Sequence, residues 1–288
     1  MSTVTAAQLA NLQRVIVSEA LFYQEHDCPM RQLVKKIDMP KGARQVDVPR
    51  YHYLDAQALT DGVDLVTGSA LSETTISITT SEHGVKVIIT DKCARQNIDD
   101  IFRSAGKQMS NSMARRMDLD LLALLDGFSG STPGASVAWS MTQLRNCYTE
   151  LKSVTVANGG PAPDPIVGVL HPRQFHDVIT DLAPVGTYPI PTGPSAEKLA
   201  SYFRGKEKVY GIPIYIDGNI TVDTLDDAKG GVFSKESLCV AVQKEWSIER
   251  ERDASLRAYE IVCVGDWGEK ELMDAWGFEA YSDAAALI

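Results

Sequence analysis

ARQNIDDIFRSAGKQMSNSMARRMDLDLLALLDG, residues 94–127, carries the strongest periodic signal in this 288-residue chain. Ile98, Phe102, Ala105, Met109, Met113, Met117, Leu121 and Leu124 follow one another in steps of three and four, the spacing that aligns side chains on one face of an α-helix. Arg95, Asp99, Arg103, Lys107, Asn111, Arg115 and Asp118 fall on the other faces, and Asp126-Gly127 offers a left-handed stop. At 1.5 Å per residue the predicted helix is roughly 45 to 50 Å long, several times the usual length, so it spans a whole subunit. Gly106 costs it about 1 kcal/mol relative to alanine, which so long a stripe absorbs. The four-residue methionine steps read as core filling rather than a cofactor site.

Ahead of this helix the period changes twice. Residues 6–37 carry a loose helical pattern (Leu9, Leu12, Ile16, Ala20, Leu33, Ile37), broken at Cys28-Pro29, where proline disfavours helix just before it. Its apolar face is too small to be stable alone, so the segment reads as an arm that packs on the body or on a neighbour. From Pro40 to about Thr90 alternation takes over, with Val46 and Val48 on one side and Thr74, Ile76, Ile78 and Thr80 on the other. The span between, Leu54 to Ser72, holds Asp61-Gly62 and Gly68 and little that could form a core. A two-stranded ribbon alone is marginal in water, and structureless connections longer than ~15 residues are uncommon unless functional. The ribbon is therefore expected to lean on a partner surface. Arg50-Tyr51-His52-Tyr53 within it mixes cation and aromatics, a pattern that suits an anchoring position in a protein contact better than stacking on single-stranded nucleic acid.

After a Gly/Ser/Thr connector at 128–138, a second helix is predicted over 141–154, ending at Asn158-Gly159-Gly160 with Pro161, Pro163 and Pro165 beyond it. A domain boundary is placed there. Past it the pattern is mixed: strand 166–170, helix 172–179, a Pro/Gly-rich loop from Pro184 to Pro194, strand 209–216, then strands 231–233, 237–246, 257–264 and 271–281. The last of these alternate apolar with charged residues, as in an antiparallel sheet wet on one face. The fold class expected is α+β.

Composition narrows the function classes. Hydrophobic residues make up 44% and charged ones 23%, and no run approaches the ~18 apolar residues a membrane span needs. The N-terminus shows no secretory signal, so residence in the cytosol is expected. Five cysteines lie far apart with no C-x-x-C pair, which argues against a disulfide framework or a zinc site and for small buried side chains. Lys and Arg number 28 against 38 Asp and Glu, a net charge of −10; residues 217–288 hold 16 acids and 7 bases. Strong phosphate binding needs clustered cations, so nothing here pulls globally on nucleic acid.

Candidate chemistry is sparse. His171, His176 and Asp177 lie close together, but a separation of five places the two histidines about 140° apart on a helix, and structural roles are preferred. Ser129 and Ser131 sit in a Gly-rich stretch that fails the G-x-S-x-G elbow. Asp99-Asp100 falls where negative charge favours a helix N-terminus, which is preferred to cation binding there and at Asp118-Asp120. Neither a nucleotide-binding glycine motif nor H-E-x-x-H occurs. No catalytic, cofactor-binding or metal site is expected.

The order of arm, long ribbon, very long helix, compact α+β domain and final strands resembles the major capsid protein of tailed bacteriophages, the Hong Kong 97-type fold. Residues 76–90 look like the end of its extended loop and residues 98–125 like its spine helix. His171-Pro172-Arg173-Gln174-Phe175 is similar to the His-Pro-x-x-Phe start of an axial-domain helix, and Tyr210-Gly211-Ile212-Pro213-Ile214-Tyr215 to a Gly-x-Pro-Val strand. Gly231-Val232-Phe233, followed by Glu249-Arg250-Glu251-Arg252-Asp253, resembles the late hairpin. The resemblance covers nearly the whole chain and rests on order and spacing, since each motif is loose. It implies an arm at 1–38, an extended loop at 39–82, and a peripheral domain at 83–157 completed by strands around 245–262. An axial domain at 158–244 and 263–288 completes the chain. It further implies a virion protein, assembled in the host cytoplasm, whose pentamers and hexamers tile an icosahedral shell around double-stranded DNA. Separate scaffolding, portal and cement proteins are implied partners. Arg50, Tyr51, Tyr53, Asp55, Asp61, Arg103, Arg115, Arg116 and Tyr188 become candidate contacts between subunits. No lysine lies between Lys41 and Lys86, so the covalent Lys–Asn crosslinks that some members build from a loop lysine are not expected. Two other readings are a bacterial nanocompartment shell, which resembles the same fold, and a cytosolic hydrolase using His176 and Asp177.

Overall fold

The computed structural model describes residues 26–40, 42–62, 64, 68, 70–96, 101–182 and 211–285. The arm before residue 26, the loop from Pro184 to Pro194 with Tyr188, and the pair Asp99-Asp100 lie outside the described residues.

The long periodic stretch forms helix α3, Ile101–Ala123, preceded by a short helix α2, Asp91–Gln96. At its end the last turn tightens to a 3-10 turn over Leu124–Gly127. Of the expected helix of 94–127, residues 97–100 lie outside the described residues, and the C-terminal end is this 3-10 turn instead of α-helix. Its stripe is as read: Ala105, Met109, Met113, Met117 and Leu121 are all buried. At the C-terminal end burial passes to Leu125, four residues beyond Leu121, while Leu124, three beyond it, is only partly covered. Asp118, expected on a polar face, is buried.

The stripe lies on a four-stranded sheet of order β1-β9-β10-β4: β1 Lys35–Asp38, β4 Ser81–Thr90, β9 Leu238–Asp253 and β10 Ala258–Glu271. β9 and β10 form a long antiparallel hairpin with a register shift between Val264 and Trp267, the extra residue of a bulge, which bends and twists a strand locally. β4 pairs antiparallel with β10, and β1 pairs parallel with the first residues of β9 only. Ile37, read as helical, is therefore on a strand. Among the described residues of that segment the helical part is the single turn α1, Met30–Leu33, with Met30, Leu33 and Val34 in the core under α3.

A five-stranded sheet of order β5-β11-β8-β6-β7 forms the other half. Its members are β5 Ser131–Pro133, β6 Ile166–Leu170, β7 Ile214–Ile216, β8 Asp227–Ser234 and β11 Gly277–Asp283. Helix α4, Met141–Ser153, buries Leu144, Cys147 and Leu151 against this sheet in a second core with Ile166, Leu170, Val232 and Ala280. The strand expected over 271–281 is two strands of different sheets separated by the 3-10 turn Asp274–Trp276, so β10 ends in one sheet and β11 begins in the other. β6 matches the reading residue for residue. Of the cysteines, Cys147, Cys239 and Cys263 are buried as expected, whereas Cys93 is exposed and Cys28 half-buried.

Helix α5, Pro172–Leu182, starts as its sequence dictates. Proline stands at the first helical position, where no N–H is needed, and Gln174 two residues on accepts the His171 N–H at 3.0 Å through Oε1, one arm of a capping box. The Gln174 carboxamide nitrogen donates to the carbonyls of Ala228 and Ala280 and to Ser282 Oγ. This fully buried residue therefore ties α5 to β8 and β11 while leaving no polar atom unpaired.

The ribbon is a separate two-stranded sheet, β2 Gln45–Tyr51 with β3 Glu73–Thr79, in antiparallel register from Gln45↔Thr79 to Tyr51↔Glu73. Its root is seated on the body. An alanine-sized Cβ at Gly268 of β10 would stand 2.2 Å from the Thr79 carbonyl oxygen, so only glycine lets the ribbon leave the sheet there. Gly268→Ala is expected to lower unfolding free energy by about 1–3 kcal/mol. Gly68→Ala, where an added Cβ meets nothing within 4 Å, should stay within about 0.5 kcal/mol. Urea denaturation of both variants beside the parent chain measures the contrast.

Candidate assembly interface

Alternation in the ribbon gives it two unlike faces. Val46, Val48 and Ile76 point one way with the buried Ile78 and pack with Met39, Cys239, Ala241 and Leu272 in a small third core. Half of the ribbon is thus braced by its own subunit, which corrects the expectation that nothing in this stretch could support itself. Beyond Tyr51 the support stops: His52 N–H donates to the Ser72 carbonyl at 3.0 Å, and His52 Nε2 lies 2.8 Å from Thr74 Oγ1. No strand is formed among the described residues between 52 and 72.

That extension concentrates exposed apolar surface. Tyr51 is 60% exposed, Leu54 55%, Leu59 72% and Leu71 65%, with Tyr53 also open to solvent. Scattered single apolar residues need no explanation, but several along one excursion mark a contact surface. Arg50 is held differently from its neighbours. It is half-buried, and its Nη1 donates to Met273 Sδ at 3.2 Å, fixing the base of the extension to the turn between β10 and β11. A cleft of about 610 Å³ opens there between residues 50–53 and residues 156–159 and 273–276. Asp55 and Asp61 are exposed on the extension, Asp61 leading into Gly62 with φ of +75°.

The other predicted contact residues are not brought to this place. Arg103, Arg115 and Arg116 lie exposed along α3, and Arg116 pairs with Asp120 four residues on at 2.8 Å, a surface ion pair of modest worth. The β9–β10 hairpin instead presents a braced cationic stack. The Arg250 guanidinium sits 4.2 Å from the Phe102 ring centre and 3.9 Å from that of Tyr259. Arg252 makes two hydrogen bonds to Asp91 at 3.1 and 3.0 Å. The exposed leucines 54, 59 and 71 were missed in sequence because they have no period; the usable signal was large aliphatic residues inside a Gly/Ala/Asp-rich excursion.

The histidine pair is not assembled for catalysis. His171 Nδ1 accepts the Arg173 N–H at 3.3 Å, and burial, with the Arg173 charge nearby, holds its imidazole below the usual value. His176 Nε2 lies 3.4 Å from Thr180 Oγ1, while burial raises the carboxyl of Asp177. Neither imidazole shares a hydrogen bond with Asp177 among the described residues. Ser129 donates through both N–H and hydroxyl to Asp274, a loop fastening. Among the described residues no group of three or more His, Cys, Asp or Glu side chains is arranged to hold a metal ion, and no helix is long and apolar enough to cross a membrane.

Neither a family model nor a curated protein sequence matches the chain. Solved structures do, across its whole length. The chain is similar to the capsid of the cyanophage P-SCSP1u at 16% identity and a TM-score of 0.71, covering 98% of this chain and 96% of that one. It is similar to the capsid of Ralstonia phage GP4 at 14% identity and a TM-score of 0.73, with 100% of both chains covered. A chain of the head of Helicobacter pylori bacteriophage KHP40 superposes with a TM-score of 0.75 at 9% identity, over 99% and 100%. At such identities what is shared is the architecture, a mixed α+β fold, and this chain therefore has the fold of the phage capsid proteins.

Proposed function

We propose that the chain is the major capsid protein of a tailed double-stranded DNA bacteriophage, working by self-association into pentamers and hexamers of an icosahedral shell and not by catalysis. The observation that carries this reading is the ribbon: an excursion of some twenty residues, rooted in its own subunit and apolar at its far end, in a chain whose structural neighbours are capsid chains over their full length. A head-to-tail contact of that kind closes into rings. In this reading the spine helix with the four-stranded sheet is the peripheral domain and the five-stranded sheet with α4 and α5 the axial domain. Arg50 positions the extension, Tyr51 and Tyr53 with the exposed leucines bear on a neighbour, and the virion is the chain's final location, reached by assembly in the host cytoplasm. Scaffolding, portal and cement proteins and the packaged DNA are its further partners.

Tyr53→Ala combined with Leu59→Asp removes apolar contact at positions that support nothing within the subunit. The variant should keep the parent's circular dichroism and urea midpoint, yet show no polyhedral particles by negative-stain microscopy. Particles formed as readily as by the parent chain would remove the ribbon from the interface. Shells of the parent chain should run on a denaturing gel as single chains, because the ribbon carries no lysine to crosslink; a covalent ladder would contradict noncovalent assembly.

A further inference from the structure

One arginine lacks the partner its surroundings call for. Arg50 is half-buried at the root of the ribbon, and a guanidinium carries five N–H donors and a permanent charge. Among the described residues its side chain makes one hydrogen bond, to the thioether of Met273, and no ion pair. A thioether is a weak, uncharged acceptor. Asp274, on the same cleft, has both oxygens engaged, Oδ1 by the Ser129 N–H at 2.7 Å and Oδ2 by the Ser129 hydroxyl. A cation taken partly out of water without a counter-charge is costly, so the arrangement leaves a place for an anion from outside the subunit.

The cleft beside Arg50 fits a particular kind of anion. Its walls include Tyr51, Tyr53, Val156 and Trp276, and the first three are exposed. A cation beside an aromatic and aliphatic wall suits a carboxylate that travels with an apolar side chain. The ribbon carries that combination at the tip of its extension. Leu59, 72% exposed, is the most open large apolar side chain among the described residues. Asp61 follows two residues later, in the turn completed by Gly62. Among the described residues none from 54 to 62 lines the subunit's own cleft. Asp55, four residues from Tyr51, stays near its own root. Asp61 lies ten residues beyond Tyr51, a span of up to about 35 Å and about the width of a small domain, so the tip can meet a neighbouring copy.

We propose that this cleft receives the ribbon tip of a second copy, the Asp61 carboxylate pairing with the Arg50 guanidinium and the Leu59 side chain lying against Tyr53 and Val156. Arg50 Nη1 holds Met273, and its remaining N–H groups meet the carboxylate, the paired geometry for which arginine is better suited than lysine. Resting on the shell reading of the ribbon, this contact joins two different surfaces of one chain. It is therefore head-to-tail and passes from copy to copy around a ring. Each copy offers one tip and one cleft, so every charge left open in the single subunit is met once the ring closes.

Two measurements on the full chain test it. In the first, the exposed Cys93 is changed to serine, and Thr60→Cys and Ala157→Cys place one thiol at the tip and one on the cleft wall. Under mild oxidation the chain with both should give disulfide-linked ladders on a non-reducing gel, whereas either alone gives dimers at most. A chain with both that behaves like the singles overturns the contact. In the second, Arg50→Glu and Asp61→Arg should each raise the concentration at which particles sediment by at least about tenfold, and the two together should return it to within about threefold of the parent. Singles that assemble like the parent, or no recovery in a double variant with the parent's circular dichroism, overturn the pairing. Where Arg50→Glu does not fold, or no particles form at all, the crosslink decides. Ladders without polyhedral particles keep the contact and remove the shell; polyhedral particles without ladders keep the shell and remove the contact.

Discussion

Everything in this subunit is arranged around one buried stripe on the spine helix. Ala105, Met109, Met113, Met117, Leu121 and Leu125 need cover along about six turns of backbone, and no single sheet supplies it. The β4, β9 and β10 strands cover most of its length through Ile89, Ile261, Cys263 and Trp267, and the far end reaches Val167, Val169, Ala228 and Phe233 of the five-stranded sheet. The two halves therefore share a core, and their relation is set by a rigid rod that enters both. Methionines suit this position because a flexible, unbranched side chain fills the irregular gaps where a helix crosses strands of different directions.

Around that rod, polar fastenings do what apolar burial cannot, which is to specify angles. Gln174 fixes α5 against β8 and β11 by three hydrogen bonds in a fully buried site. Arg50 does the same, more weakly, for the base of the ribbon. The aromatic set of His83 stacked on Trp267 at 4.3 Å, Trp246 edge-on to it, and Arg31 over Trp246 joins β4, β9, β10 and α1 in one layer. Each of these pairs residues far apart in the chain, so each is a constraint on tertiary geometry and not on local conformation.

That distinction explains what could be read from sequence. The spine helix and the ribbon strands were legible because their burial is periodic, and β6 because a short unbroken apolar run between prolines reads as a fully buried strand; both are local properties. Leu124 and Leu125 could not be told apart, since they lie three and four residues beyond Leu121 and both steps keep to one face of a helix. Nor could residues 271–281 be seen as two strands: the alternation of apolar and polar residues persists across Asp274–Trp276 although the chain changes sheets there. Asp118 looked like one more charge on a solvated face. Its burial becomes intelligible only when the Met30 amide and the Asn219 carboxamide, 88 and 101 positions away in the chain, donate to its two oxygens. On the candidate interface, Arg50 and the tyrosines were recognisable from residue type, whereas the exposed leucines were hidden by the lack of any pattern.

The edges of the two sheets carry a last implication. β5 and β7, which flank the five-stranded sheet, are three residues each. In the other sheet β1 covers β9 only as far as Val242, leaving the remainder of that strand without a neighbour on one side among the described residues. This open run is studded with Glu249, Arg250, Glu251 and Arg252, and short or charged borders resist the addition of a foreign strand. Addition of a strand is thereby discouraged along β5, β7 and the distal part of β9, which leaves β4, ten residues long, and the two ribbon strands as the backbone borders open to it among the described residues.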